Sequence, residues 1–204
     1  LDEPLSHRDA SARNRARREL KVLQREFGYT TIVVTHDQVE ALSLADRLAV
    51  MDKGVVQQFG TPDEVFDDPA NLFVAGFVGE PQINVLPGTA RVHDGRVRIE
   101  IGSGAGYLET EVTGLADAQR VTVGVRPQDC ALSGGDHGGG SAAVAYWEHR
   151  LGDGLATSTV AGTEEGIVVQ TPAEEVYEPE HQVRITAAPE RVSLFDPDTG
   201  ERLR

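Results

Sequence analysis

The chain has 204 residues, a hydrophobic content of 39% and a formal charge of −14. That is enough sequence for one large domain or two small ones. The charge argues against nucleic acid or an anionic membrane surface as a direct partner, the lone Cys130 rules out an intramolecular disulfide framework, and no apolar run approaches the ~20 residues that span a bilayer.

In chain order, "LDEP" opens the sequence with an apolar residue and then two carboxylates, Asp2 and Glu3. "ASARNRARRELKVLQREF" places Ala16, Leu20, Leu23 and Phe27 at helical spacing, and Gly28 follows as a C′ residue. Its basic residues, Arg13, Arg15, Arg17, Arg18, Lys21 and Arg25, read as a solvated face. "TTIVVTH" is short, apolar and β-branched, which predicts a buried parallel strand ending at His36. "DQVEALSLAD" is a second helix, and "LAVMDKGVVQQF" a hairpin turning at Asp52-Lys53-Gly54. Thr61-Pro62-Asp63-Glu64 is a capping box with Pro at the first helical position. "PANLFVAGFV" predicts one more short helix.

After "GEPQ" the texture changes. "TARVHDGRVRIEI", "RVTVGVRP", "AAVAYWEHR", "ATSTVAG", "GIVVQT" and "HQVRITAA" are short β-type runs punctuated by Gly, Pro and Asp. They predict an antiparallel barrel or sandwich. The domain boundary is placed near Gly79 to Pro81, giving domains 1–79 and 80–204. "SGGDHGGGS" (133–141) reads as a loop, "GSGAGY" (102–107) as a β-turn, and "DPDTG" (196–200) as a turn. Tyr146 and Trp147 are expected in the core. His93, His137, His149 and His181 lack metal-ligand spacing.

Two carboxylates at the end of an apolar strand lie where open α/β sheets bind ligands. The first could hold Mg²⁺ beside nucleotide phosphates, and the second could polarise a water as general base. Alone, "LDEP" reads more readily as a charged strand exit. The order Asp-Glu, helix, apolar strand, His, helix favours a functional edge, with His36 placed to meet a terminal phosphate.

"LDEPLSHRD…TIVVTHDQVEALSLADRLAVMDKGVVQQFGTPDEVFDDP" resembles the second half of the nucleotide-binding domain of ABC transporter ATPases. "LDEP" resembles the end of the Walker B strand, "SHRD" the D-loop with Arg8 in place of the usual Leu, and "VTHD" the H-loop. "GTPDEVFDDPANLFVAGFVGEPQINVLPG" is similar to the exit from that domain in importers of the maltose-transporter type. "VGVRPQDCAL", "EHRLGDGLATSTV" and "LFDPDTGERL" resemble the TOBE-type, OB-like regulatory barrel of that group.

The resemblance implies a partial P-loop α/β domain followed by an all-β barrel. It implies ATP and Mg²⁺ as cofactors. Asp2 would help hold Mg²⁺, Glu3 would be the catalytic base, and His36 would sense the γ-phosphate. Ser6 and Asp9 would lie in the D-loop, where two copies meet. The implied partners are a second ATPase subunit, transmembrane permease subunits and, indirectly, a solute-binding protein, at the cytoplasmic face of the membrane. "FVGEPQINVLPG" favours a carbohydrate importer, with polyamine, glycerol-phosphate or inorganic-anion importers as alternatives.

A P-loop needs Gly-x4-Gly-Lys-[Ser/Thr]. The nearest match, at Gly134, Gly139, Gly140 and Ser141, has Gly140 where Lys must stand. "LSGGQ" and a Q-loop are also absent, so these parts are expected upstream of Leu1, and the fragment alone is expected to be inactive. A competing reading is a non-hydrolytic regulatory, dimerisation or ligand-binding module. Residues 81–204 carry 10 Lys and Arg against 19 Asp and Glu, which disfavours a nucleic-acid barrel.

Overall fold

The computed structural model describes residues 1–5, 9–102, 104, 106–134, 139–150, 152–161 and 166–204. The chain divides into two compact units, Leu1–Ala70 and Asn71–Arg204.

The first unit opens on a parallel pairing of residues 1–3 with 32–34. The Leu1 nitrogen donates to the Ile32 carbonyl at 2.8 Å. Val34 N–H then donates to the Leu1 carbonyl at 2.9 Å, and Glu3 N–H to the Val34 carbonyl at 2.8 Å. Helix α1 (Ala10–Phe27) is capped by the Asp9 side chain and ends at Gly28, whose φ of 65° suits a residue without Cβ. Arg13, Arg17 and Lys21 recur every fourth residue and so share one face. That face is not merely solvated: Arg13 and Arg17 pair with Asp37, and Lys21 pairs with Asp46. Arg15, Arg18 and Arg25 are exposed as expected.

The expectation of a buried strand over "TTIVVTH" is corrected. Ile32 is 77% exposed and Val34 57% exposed. The segment has a strand neighbour on one side only among the described residues, so its β-branched side chains find no cover there. Helix α2 (Gln38–Leu44) follows from the Asp37 cap. Strands β1 (Leu48–Asp52) and β2 (Val55–Gly60) form the expected hairpin. Its turn residues Lys53 and Gly54 both have positive φ, 47° and 82°, the geometry that matches hairpin twist. Helix α3 (Pro62–Asp67) starts from the full Thr61–Glu64 capping box.

Helix α4 (Leu72–Phe77) belongs to the second unit. The boundary expected near Gly79 to Pro81 falls after this helix. Leu72 N–H donates to the Gly200 carbonyl at 2.8 Å, Asn71 bridges Glu201, and Ala75 packs with Ile83 and Phe195. These contacts to distant chain place the division between Ala70 and Asn71.

The rest of the second unit is one antiparallel sheet. Its strands are β3 (Asn84–His93), β4 (Arg96–Ile101), β5 (Gly106–Glu109), β6 (Arg120–Val125), β7 (Cys130–Ser133), β8 (Gly139–His149), β9 (Asp153–Val160), β10 (Gly166–Pro172), β11 (Gln182–Ala187), β12 (Ser193–Phe195) and β13 (Arg202–Leu203). The order is β10-β9-β8-β5-β4-β3-β6-β12-β13, with β11 pairing both β7 and β8. Alternation along β4, apolar in and polar out, buries Val97, Ile99 and Ile101. They join Leu86, Val123, Ile167, Ile185 and Leu194 in a single core.

The sheet curls so that β10 returns to β3. Asn84 makes this join with its side chain: Oδ1 accepts from Val168 N–H and Nδ2 donates to the Val168 carbonyl, both at 2.7 Å. A side-chain amide thus replaces one rung of a ladder. The curled antiparallel sheet agrees with an OB-like domain.

Part of the "SGGDHGGGS" stretch is strand rather than loop. Gly139 and Gly140 open β8 and pair with Tyr107 and Gly106 of β5. A Cβ on Gly106 would strike the Gly139 carbonyl oxygen, so this crossing needs glycine. Residues 135–138 lie outside the described residues. Tyr146 is 58% exposed, not core, because β8 shifts register between Val144 and Tyr146. Trp147 is half-buried and donates its indole N–H to Thr171 Oγ1 at 3.3 Å.

Candidate active site

The parallel pair ends with Glu3 on one segment and His36 just beyond the other. Glu3 has φ 46°, a left-handed conformation that non-glycine residues seldom adopt and that gathers at functional sites. Its Oε1 accepts from His36 N–H at 3.0 Å and lies 2.7 Å from His36 Nδ1. One carboxylate oxygen therefore fixes both the backbone and the ring of a residue 33 positions away. With Nδ1 engaged by Glu3, Nε2 is the ring nitrogen left to meet a ligand, and the His36 side chain is 79% exposed. The hydrogen bond to Glu3, and then its charge, raise the His36 pKa above the ordinary histidine value.

The turn around His36 is built by its neighbours. Asp37 N–H donates to Thr35 Oγ1 at 3.1 Å. Thr35 Oγ1 donates to Glu40 Oε2 at 3.0 Å. Asp37 caps α2 through Oδ1, which accepts from Glu40 N–H at 2.9 Å. The other Asp37 oxygen, Oδ2, receives Arg13 Nη1 at 3.3 Å and Arg17 Nη2 at 3.4 Å.

Of the residues singled out by sequence, Asp2, Glu3 and His36 come together at this edge. Asp2 is exposed and bridges Val34 in the parallel pair. Asp9 is exposed and serves as the α1 cap, accepting from Ala12 N–H at 2.8 Å. Ser6 and Arg8 lie outside the described residues. Thr35, Asp37 and Glu40 were not singled out as site residues. The spacing in "THDQVE", with Asp and Glu three apart, marks the helix start but not the Thr35–Glu40 link.

Mg²⁺ takes hard oxygen donors and keeps much of its water, so one or two carboxylates beside phosphates suffice. The exposed carboxylate of Asp2 fits that donor set. Among the described residues no group of three or more His, Cys, Asp or Glu side chains could hold a metal ion. A cation here would have to be shared with phosphate.

No protein-family model matches the chain. Over 203 residues, all of this chain, it is 42% identical to the sn-glycerol-3-phosphate import ATP-binding protein UgpC of Ruegeria sp. strain TM1040, covering 55% of that protein. Its homologues are import ATP-binding proteins, together with an ABC transporter ATP-binding protein of Sinorhizobium fredii. A second import ATP-binding protein, UgpC of Escherichia coli K12, is 38% identical over all of the chain and 56% of its own length. The trehalose/maltose import ATP-binding protein MalK of Thermococcus litoralis is 48% identical over 141 residues, 63% of this chain and 35% of its own. The chain thus spans just over half the length of the import ATP-binding proteins it matches from end to end. Among solved structures, the cytoplasmic molybdate-binding protein ModG aligns with 56% of this chain and 96% of its own at 21% identity, with a TM-score of 0.46.

Proposed function

We propose that this chain supplies the hydrolytic edge of an importer ATPase and, later in the sequence, a regulatory β-domain. The observation that carries the reading is the Glu3–His36 contact at 2.7 Å, made between the segments that resemble a Walker B end and an H-loop. Glu3 acts as the general base that takes a proton from the attacking water. It also sets the imidazole of His36, so that Nε2 faces a terminal phosphate. Asp2 holds Mg²⁺ through water, and the cation would neutralise charge on the phosphates. Ser6 and Asp9 lie where two copies of the subunit meet.

The P-loop and signature segments are absent from these 204 residues, and we infer that the remaining length of the relatives carries them. The 204-residue piece alone is then inactive, because a P-loop makes most of the phosphate contacts. No helix among the described residues is long and apolar enough to cross a membrane. The subunit would act as a pair at the cytoplasmic face, on permease subunits fed by a solute-binding protein. The solute is a sugar or a glycerol phosphate. Both classes appear in the names of the relatives, and the sequence "FVGEPQINVLPG" favours the former.

Glu3→Gln in the full-length protein keeps the shape of the site and removes the base. ATP turnover is expected to fall by roughly 10²–10⁴-fold, the usual contribution of a positioned base, while ATP binding persists. Wild-type turnover in that variant would remove Glu3 from the role.

A further inference from the structure

Glu40 is 1% exposed, the only buried acidic side chain among the described residues. A buried carboxylate is costly unless its oxygens are bonded. Oε2 accepts from Thr35 Oγ1 at 3.0 Å, while Oε1 has no hydrogen-bond partner among the described residues. Helix capping does not account for this cost. In the box at α3, Glu64 Oε2 accepts directly from Thr61 N–H at 2.8 Å. At α2 the corresponding donor, Asp37 N–H, goes instead to Thr35 Oγ1 at 3.1 Å. The Thr35 hydroxyl stands between the carboxylate and the backbone it would otherwise cap.

That hydroxyl has one proton. Because Asp37 N–H can only donate, Oγ1 accepts from it, and the proton of Oγ1 must go to Glu40. The relay fixes Thr35 and Asp37, the two residues flanking His36, relative to one buried oxygen. Asp37 is further held by Arg13 and Arg17, and the ring is held by Glu3. We propose that Glu40 is a positioning residue for ATP hydrolysis: through Thr35 it sets where His36 stands, and it does not touch the nucleotide. The proposal rests on the reading of His36 as the phosphate-contacting group.

The test uses the full-length protein with Thr35→Val, Thr35→Ser, Glu40→Ala and the Thr35→Val/Glu40→Ala pair. Thr35→Val and Glu40→Ala are each expected to lower kcat roughly ten- to hundredfold, the scale of a lost positioning contact. KM for ATP should stay within about twofold, since ground-state binding is spared. The double variant should lose no more than either single one, because both cut the same link. Thr35→Ser keeps the hydroxyl and should restore turnover. In the same proteins the His36 ring resonances should move in Thr35→Val and return in Thr35→Ser. A purely structural Glu40 would lower Tm in both variants while kcat and the ring resonances of the folded protein stay at wild-type values, and that result would overturn the proposal. If the wild-type protein hydrolyses no ATP, the functional reading fails by itself, and the ring resonances still decide whether Glu40 governs His36. Should Glu40→Ala not fold, Thr35→Val and Thr35→Ser decide the matter.

Discussion

His36 keeps its imidazole 79% exposed, yet Nδ1 lies 2.7 Å from Glu3 Oε1. The hydrogen bond that the ring donates to Glu3 is the main cause that raises its pKa above 6.5, with the Glu3 charge second. A raised value means that the folded chain binds the proton more tightly than the unfolded one. The stabilisation is fully present below the unfolded pKa and is lost as pH rises through the folded one. In an NMR titration of the full-length protein the His36 midpoint is expected above 6.5, and Glu3→Gln should bring it back down. A wild-type midpoint at the ordinary value would break the Glu3–His36 link. That Asp2, Glu3 and His36 share one strand edge was legible in sequence because their order, with a helix and an apolar run between, survives as spacing. Thr35 and Glu40 were not, because a hydroxyl interposed in a capping box follows from side-chain rotamers and not from residue types.

Local signals located most elements. The Thr61–Glu64 box, the Gly28 stop and the Lys53-Gly54 turn each act within a few residues, and each appears where the sequence put it. Signals that depend on distant chain did not read through. "TTIVVTH" has the composition of a buried strand, but burial is set by neighbours, and Ile32 stays 77% exposed. The tract at 133–141 reads as a loop because glycine is common in loops, whereas Gly139, at φ 70°, is needed against the Ile185 carbonyl. Asn84 gave no warning of its task at all. Its amide satisfies both backbone groups of Val168, beside Ile167 and Val169, which are fully buried. Asn84→Ala would strand those groups, at about 1–3 kcal/mol. The urea midpoint of the second unit should drop with an unchanged slope; an unaltered midpoint would mean that the β3–β10 join is held by apolar packing alone. Cys130 beside it is buried, with its thiol pushed up to about 12 mainly by burial, so it acts as a packed apolar group and not a nucleophile.

The two units of the molecule differ in completeness. Residues 71–204 bury a continuous core that includes Leu86, Ile99, Ile101, Val123, Ile185 and Leu194. Residues 1–70 leave Tyr29 63%, Ile32 77%, Val55 60% and Phe59 60% exposed, which is much apolar surface for so short a stretch. Expressed separately, 71–204 should melt cooperatively by circular dichroism, and 1–70 should show no cooperative transition. A sharp melt for 1–70 would contradict the view that its apolar faces need further chain to cover them.

In the function we propose, ATP is hydrolysed at the edge formed by Asp2, Glu3 and His36: Asp2 through Mg²⁺, Glu3 through the attacking water and His36 through the γ-phosphate. The most direct measurement is the structure of the full-length Glu3→Gln protein with MgATP. Expected is intact nucleotide, with Asp2 linked to Mg²⁺ through water and His36 Nε2 within hydrogen-bond reach of the γ-phosphate. Nucleotide bound away from both Asp2 and His36 would contradict the claim.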